Sequence, residues 1–408
     1  MTGTAANALV AQLESYGVEV VFGTCGHTNI AVLDALADSR IRFVIARHEQ
    51  AAAHAADGYA RASGRPGVLL VHVGPGLTNA ATGVMTAALD SVPLVVISGD
   101  IPSYYREHGG FLVSGAIDKY VYMLTHTVFQ RRYRMKYSQF EEVDDPSEIR
   151  HPILRESLLR HWNGDPLEVS VIADVPAGTG LGSSGSFTVC FLKALALARR
   201  VAIPPGRLAE DACEIEIDVL GEPSGKQDQY VSAHGGICAY TFHPDGSVDV
   251  EPLSLARETL DKLRNNLLLF YTGEARAASA ILADQVTRTE EGDEEMRANL
   301  DRTKELGFEV RALLERGDVE QFGELMHEHW ENKVRRSPGM ATERIDHLYT
   351  LARRSGVVGG KVVGAGGGGF LLVYARRPDD TRQAMAAAHA PELRFDFEFQ
   401  GCYGVEYT

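Results

Sequence analysis

The chain has 408 residues, 45% of them hydrophobic and 23% charged, with a formal net charge of −15. That length allows two or three domains, each with a core of its own. The acidity excludes a chain built mainly to bind a nucleic-acid backbone, which needs a basic face. The five cysteines (Cys25, Cys190, Cys213, Cys238 and Cys402) contain no Cys-x2-Cys pair. They predict reduced thiols in a cytoplasmic protein, and no zinc site. No basic region followed by a long apolar run opens the sequence, so neither a signal peptide nor a membrane span is expected.

Residues 1 to about 100 alternate short valine-rich strands with alanine-rich helical segments. Strands are predicted at Val18–Gly23, Arg42–Ala46, Gly67–Val71 and Pro93–Ile97, with helices near Ile30–Asp38, Gln50–Ala62 and Asn79–Leu89. Continuous rather than alternating apolar strands, each followed by a helix, indicate an α/β unit with a parallel sheet covered on both faces.

Further on, a strand at Leu167–Val171 leads into Pro176-Ala177-Gly178-Thr179-Gly180-Leu181-Gly182-Ser183-Ser184, and an apolar helix follows from Phe187. Three glycines let the backbone turn tightly and bring its N–H groups against a ligand, and the helix adds its N-terminal partial positive charge. The serines at the helix start can cap it or offer a hydroxyl to a metal ion. The string is a polyphosphate cradle that departs from the Walker loop, since no lysine follows its last glycine. Two later segments stand out. One is Glu216–Tyr230, which includes Gly221-Glu222-Pro223-Ser224-Gly225-Lys226-Gln227-Asp228. The other is the glycine run Gly364–Gly369, between strands at Lys361–Val363 and Phe370–Tyr374. The basic cluster Arg131–Lys136 can meet a sugar phosphate or form a charged strand face, and the strand face is the expectation. The charged stretch Glu291–Arg335 is expected to be helical with a solvated face.

The string Pro176–Ser184 resembles the phosphate-binding motif of the GHMP small-molecule kinases, and the segments at 216–230 and 361–370 resemble that family's catalytic and third motifs. Within the family, Tyr104–Phe111 and Gly115–Tyr120 are most similar to D-glycero-D-manno-heptose 7-phosphate kinases. The resemblance runs from about Asp100 to the C-terminus. It implies an α+β kinase fold in two subdomains, 101–285 and 286–408, acting on ATP and a sugar phosphate with Mg²⁺. Pro176, Gly178, Gly180, Leu181, Gly182, Ser183 and Ser184 would hold ATP. Ser184 and Glu216 would hold Mg²⁺, which accepts few protein ligands and keeps several waters. Asp228 would be the catalytic base. Asp100, Lys226, Gly366 and Gly367 would meet the substrate, although Lys226 can equally face solvent.

The first half, 1–100, resembles the pyrimidine-binding (Pyr) domain of thiamine diphosphate enzymes of the acetolactate synthase type. The matching segments are Val21-Phe22-Gly23, Arg47–Arg61, Gly74–Asn79 and Asp90–Asp100. The resemblance implies that Glu49 occupies the position that activates the aminopyrimidine ring, where burial would raise its pKa. Yet the half is truncated, and each Gly-Asp pair of the chain is followed by Ile, Pro, Glu or Val rather than by the Gly, Ser or Ala of a diphosphate site. Thiamine diphosphate is therefore not expected to act on this chain alone, and Glu49 reads as residual. Ile97-Ser98-Gly99-Asp100-Ile101-Pro102-Ser103-Tyr104-Tyr105 fits both families, as if two coding sequences had been joined there. The kinase then lacks its own first strand and first motif, including a basic residue whose place falls near Val95. The strand Pro93–Ile97 would stand in for the missing one, and catalysis would be weakened. The expected activity is phosphorylation of a sugar phosphate, foremost a heptose 7-phosphate at its anomeric oxygen. The alternatives are a thiamine half-site completed by a partner chain, and an inactive nucleotide-binding fusion that associates with itself through its first domain.

Overall fold

The structure, a computed structural model, describes residues 5–25, 29–72, 75–98, 109–129, 131–222, 224–273, 293–336, 339–364 and 366–406. The chain divides into two units, Met1–Arg106 and Glu107–Thr408.

In the first unit, β1 (Val20–Gly23), β2 (Arg42–Ile45), β3 (Gly67–Val71) and β4 (Leu94–Ser98) form a parallel sheet in the order β2-β1-β3-β4. Helices Ile30–Ala37, Glu49–Ser63 and Pro75–Leu89 connect the strands, as the alternation predicts. The central β3 is buried along its length, and each fully covered leucine in it contributes roughly 1.5–3 kcal/mol. Helix Glu49–Ser63 meets the sheet through fully buried Ala52, Ala53 and Ala56. A Cβ added at Gly83 would lie 2.5 Å from that of Ala53, so only small residues let these two helices approach.

The fourth strand lies where the alternation predicts. β4 pairs in parallel with β3, from Gly67↔Leu94 to Val71↔Ser98. It thus completes the N-terminal sheet. Its apolar run, Leu94–Ile97, is only partly covered, as suits the strand at the end of the order. Asp100 lies outside the described residues.

Among its described residues the second unit holds three sheets. β5 (Gly110–Gly115), β10 (Ile237–Phe242) and β11 (Val248–Pro252) run antiparallel in the order β11-β10-β5. A mixed sheet, β6-β9-β7-β8, comprises β6 (Val121–Thr127), β7 (Tyr133–Lys136), β8 (Phe140–Val143) and β9 (Leu167–Ala173). Helices Pro152–His161 and Ser183–Ala198 cover it around Leu154, Leu158, Val169, Phe191 and Leu195. The third sheet, β12-β14-β13, is antiparallel and built from β12 (Leu267–Tyr271), β13 (Val357–Val362) and β14 (Phe370–Ala375). Its core includes Trp330, Ile345 and Leu348 from helices Val319–Arg336 and Glu343–Arg354.

The subdomain break expected at 285 falls outside the described residues. The pairing of β12 with β14 draws the chain into the C-terminal sheet from Leu267 onward. The charged stretch predicted at 291–335 forms helices Glu294–Arg316 and Val319–Arg336, separated at Gly317, whose φ of 79° suits a glycine helix terminus. Among the described residues, no helix is long and apolar enough to cross a membrane.

Candidate active site

The glycine string ends as helix Ser183–Ala198 begins. Gly182 occupies the cap position at φ 72°, and no side chain caps the helix. Its first N–H groups are therefore open to an anionic ligand. Upstream, Thr179 donates its hydroxyl to the Pro176 carbonyl at 2.9 Å, which tightens the turn. Leu181 packs with Val175, Leu269 and Phe370, anchoring the loop while Gly178, Gly180 and Ser184 remain exposed.

The third motif closes on the same loop. A Cβ at Gly180 would lie 2.8 Å from the Val363 carbonyl oxygen, and one at Gly364 would lie 2.8 Å from the Gly180 Cα. One at Gly369 would meet the Thr179 carbonyl oxygen at 2.1 Å. The two glycine loops thus touch backbone to backbone, which no residue with a side chain permits. Gly364 and Gly369 make these contacts. Gly367, expected at the substrate, instead donates its N–H to the Met340 carbonyl at 2.9 Å, and Gly366 lies against the Met340 side chain.

Asp228 sits in the first turn of helix Gln227–His234, beside the cradle. A Cβ at Gly182 would meet its Cγ at 3.1 Å, and one at Gly185 would meet its Cβ at 2.8 Å. Asp228 is exposed to solvent, although Gly182 and Gly185 lie close beside it. Desolvation, followed by the nearby Glu216 carboxylate, pushes its carboxyl up to about 6. A carboxylate in this state accepts a proton readily near neutral pH.

Glu216 lies in a π-helical stretch, Glu214–Val219, that continues helix Pro205–Cys213. It is 2% exposed, which removes the reading of a solvated helix carboxylate. Ser184 donates its hydroxyl to Glu216 Oε2, and Gln229 donates Nε2–H to Oε1 at 3.1 Å. One hydroxyl and one carboxylate in contact, at the mouth of a phosphate loop, fit Mg²⁺, which takes one or two carboxylates and completes its shell with phosphate and water. Among the described residues there is no cluster of three or more His, Cys, Asp or Glu side chains able to hold a metal, so a metal here would rely on phosphate oxygens.

Other residues are held elsewhere. The Lys226 ammonium donates to Glu210 Oε2 at 3.0 Å and to the Gly246 carbonyl at 2.8 Å, and Tyr230 also donates to Glu210. These contacts hold Lys226 in a structural cluster and do not bring it to the cradle. In the basic cluster Arg132 pairs with Glu142 and Asp144, Arg134 with Glu142, and Lys136 with Glu168. It forms the charged strand face that was expected. Sequence reasoning missed Gln229, whose place next to Asp228 on a helix following the catalytic loop was the available signal. In the first unit, Glu49 is half-buried rather than enclosed. It accepts from Thr24 Oγ1 at 3.1 Å and from Asn79 Nδ2 at 3.2 Å, so both its oxygens are engaged within the unit.

Comparison with known proteins gives the same division. Residues 3–118 match the family described as thiamine pyrophosphate enzyme, N-terminal TPP binding domain. Residues 153–236 match the GHMP kinases N terminal domain, and residues 310–391 the GHMP kinases C terminal domain. A D-glycero-alpha-D-manno-heptose 7-phosphate kinase of Campylobacter jejuni is 26% identical over 288 residues, covering 67% of this chain and 84% of that protein. An acetolactate synthase large subunit of Haemophilus influenzae is 50% identical over 99 residues, but these are 24% of this chain and 17% of that protein. The first unit thus spans a minor part of the synthases it matches. Among solved structures, a D-glycero-D-manno-heptose 1-phosphate kinase from Bacteroides thetaiotaomicron aligns with TM-score 0.60 at 22% identity, over 76% of this chain and 94% of that one. Lactococcus lactis galactokinase aligns with TM-score 0.58 at 17% identity, over 74% and 91%. The chain thus carries one region similar to the N-terminal domain of thiamine pyrophosphate enzymes, followed by two regions similar to the N- and C-terminal domains of GHMP kinases.

Proposed function

We propose that the chain transfers the γ-phosphoryl group of ATP to a hydroxyl of a sugar phosphate, foremost the anomeric hydroxyl of a heptose 7-phosphate. The observation that carries this reading is the contact of Asp228 with Gly182 and Gly185, which sets a carboxylate beside the open start of the glycine-bounded helix. Phosphoryl transfer needs positioning and charge stabilisation more than covalent help. The N–H groups from Gly180 to Ser184 bind the β- and γ-phosphates. Ser184 and Glu216 would hold Mg²⁺, which would supply charge neutralisation for the transfer. The acceptor oxygen attacks the γ-phosphorus, its proton passes to an Asp228 oxygen, and the β–γ bridging oxygen leaves with ADP. Gln229 keeps Glu216 oriented.

The basic residue missing from the first kinase motif lowers the expected rate without changing its chemistry. The test is ADP release by the whole chain with Mg-ATP and a panel of sugar phosphates, beside Asp228→Asn. Turnover that depends on the sugar and disappears in Asp228→Asn supports the reading. ATP binding without turnover on any sugar would make the chain a nucleotide-binding fusion.

A further inference from the structure

The C-terminal domain holds a group of basic side chains that the site described above does not use. Helix Val319–Arg336 carries His329, Lys333 and Arg336 on one face, at a spacing of four and three residues. β13 brings Lys361 against it, with its amine 3.4 Å from His329 Nδ1. Lys333 is 8% exposed and donates to the Val362 carbonyl at 3.1 Å and to that of Gly364. Arg336 donates Nε–H to Asn299 Oδ1 at 2.9 Å and a second N–H to Thr303 Oγ1 at 2.5 Å.

Among the described residues, neither Lys333 nor Lys361 forms an ion pair with a carboxylate. The charges acting on both are positive. Burial first, and then Lys361 and Arg336, push the Lys333 amine down to about 7. Burial and Arg336 push Lys361 down to about 8. His329 falls well below its ordinary value through burial and the same three cations, so it is neutral and can accept from Lys361. Bringing two lysine amines together with no carboxylate paired to either is costly unless an anion joins them. The group also adjoins the candidate active site, because the Gly364 carbonyl that receives Lys333 belongs to the loop touching Gly180.

We propose that His329, Lys333, Arg336 and Lys361, with Thr303, form an anion subsite that binds the phosphate monoester of the acceptor sugar. This rests on the kinase reading and deepens it, by identifying which part of the chain distinguishes a sugar phosphate from a sugar. A monoester carrying nearly two negative charges and three acceptor oxygens matches several converging donors. The nucleotide's phosphates have their own place at Gly180–Ser184.

The test measures binding of inorganic phosphate, glucose 6-phosphate, glucose and ATP to the whole chain, for the wild type, Lys361→Met and Lys361→Arg. Phosphate and glucose 6-phosphate should bind the wild type, and glucose should not. Lys361→Met should weaken both by about 10- to 100-fold, the loss of one charge-assisted contact. Lys361→Arg should keep most of the affinity, and ATP should bind all three chains equally, which also shows that the variants fold. Equal phosphate binding by wild type and Lys361→Met overturns the subsite, as does phosphate binding that ATP displaces. Kinetics separate the two readings. Sugar-dependent turnover with an unchanged KM for sugar phosphate in Lys361→Met removes the subsite and leaves the kinase. Absent turnover, with phosphate binding still lost in Lys361→Met, removes the kinase and leaves the subsite.

Discussion

Gly185→Ala offers a direct test of how Asp228 is placed. Gly185 is buried in the first turn of helix Ser183–Ala198, where alanine would ordinarily improve helix stability by about 1 kcal/mol. Here the added Cβ would lie 2.8 Å from Asp228 Cβ, and 3.0 Å from both the Asp228 carbonyl carbon and the Gln229 nitrogen. Carbon atoms in good contact are about 3.5–4.0 Å apart, so the start of helix Gln227–His234 must retreat by roughly 1 Å. Overpacking of this kind costs about 1–3 kcal/mol, which leaves a net destabilisation of about 0–2 kcal/mol once the helix gain is subtracted. A base displaced by that amount loses on the order of 10²-fold in rate. Gly206→Ala is the matched control, because a Cβ there meets nothing within 4 Å on helix Pro205–Cys213. Denaturant unfolding and ADP release on the two variants should separate them: kcat falls in Gly185→Ala with ATP affinity kept, while Gly206→Ala is slightly stabilised and fully active. Wild-type kcat in Gly185→Ala would refute the placement of Asp228 as the base.

The same geometry sets three further outcomes. Because the Asp228 pKa is raised to about 6, its folded state holds a proton that the unfolded chain releases. Its contribution to stability is full below about pH 4 and is lost as pH rises through about 6; Asp228→Asn, measured without nucleotide, should be more stable by about 1 kcal/mol at pH 8, after discounting for solvent screening. Gln229→Ala frees one oxygen of Glu216 and should weaken the apparent affinity for Mg²⁺ about 10- to 100-fold, with kcat recovered at saturating Mg²⁺. Glu141 is a purely structural case: its side chain is 2% exposed, and burial alone would raise its pKa, but hydrogen bonds from Tyr137, Arg150 and His151 bring it to about 2. The stability it supplies is present above about pH 4.5 and fades as pH falls through about 2, and Glu141→Gln should cost about 3 kcal/mol at neutral pH, read from the denaturation midpoint.

The chemistry-bearing loops were legible because each is local. Glycines at Gly180, Gly182 and Gly364, a hydroxyl at Ser184 and a carboxylate at Asp228 are read from short strings whose backbone demands are self-contained. The strands of the first unit were legible for a similar reason, since Gly67–Val71 is apolar without interruption and bounded by turns. Partners distant in sequence were not legible. Lys226 could be weighed only against the phosphates or solvent, because its acceptor Glu210 lies on another helix. The basic group was hidden inside a stretch read as solvated charge. Met326, Trp330 and Lys333 fall on one helical face and all three are buried, so the apolar residues around Lys333 were the signal that one cation points inward.

The π-helical stretch Glu214–Val219 makes this part of the chain tolerant of a change in length. Its wider turn is marked by the Leu220 N–H, which donates to the Ile215 carbonyl five residues back. Such a turn accommodates an extra residue inside a helix without disturbing the residues on either side. Removing one residue from it would let the helix close as an ordinary α-turn, with its flanks kept in place. The number of residues between Glu216 and Asp228 can therefore differ by one in related chains while both carboxylates keep their positions.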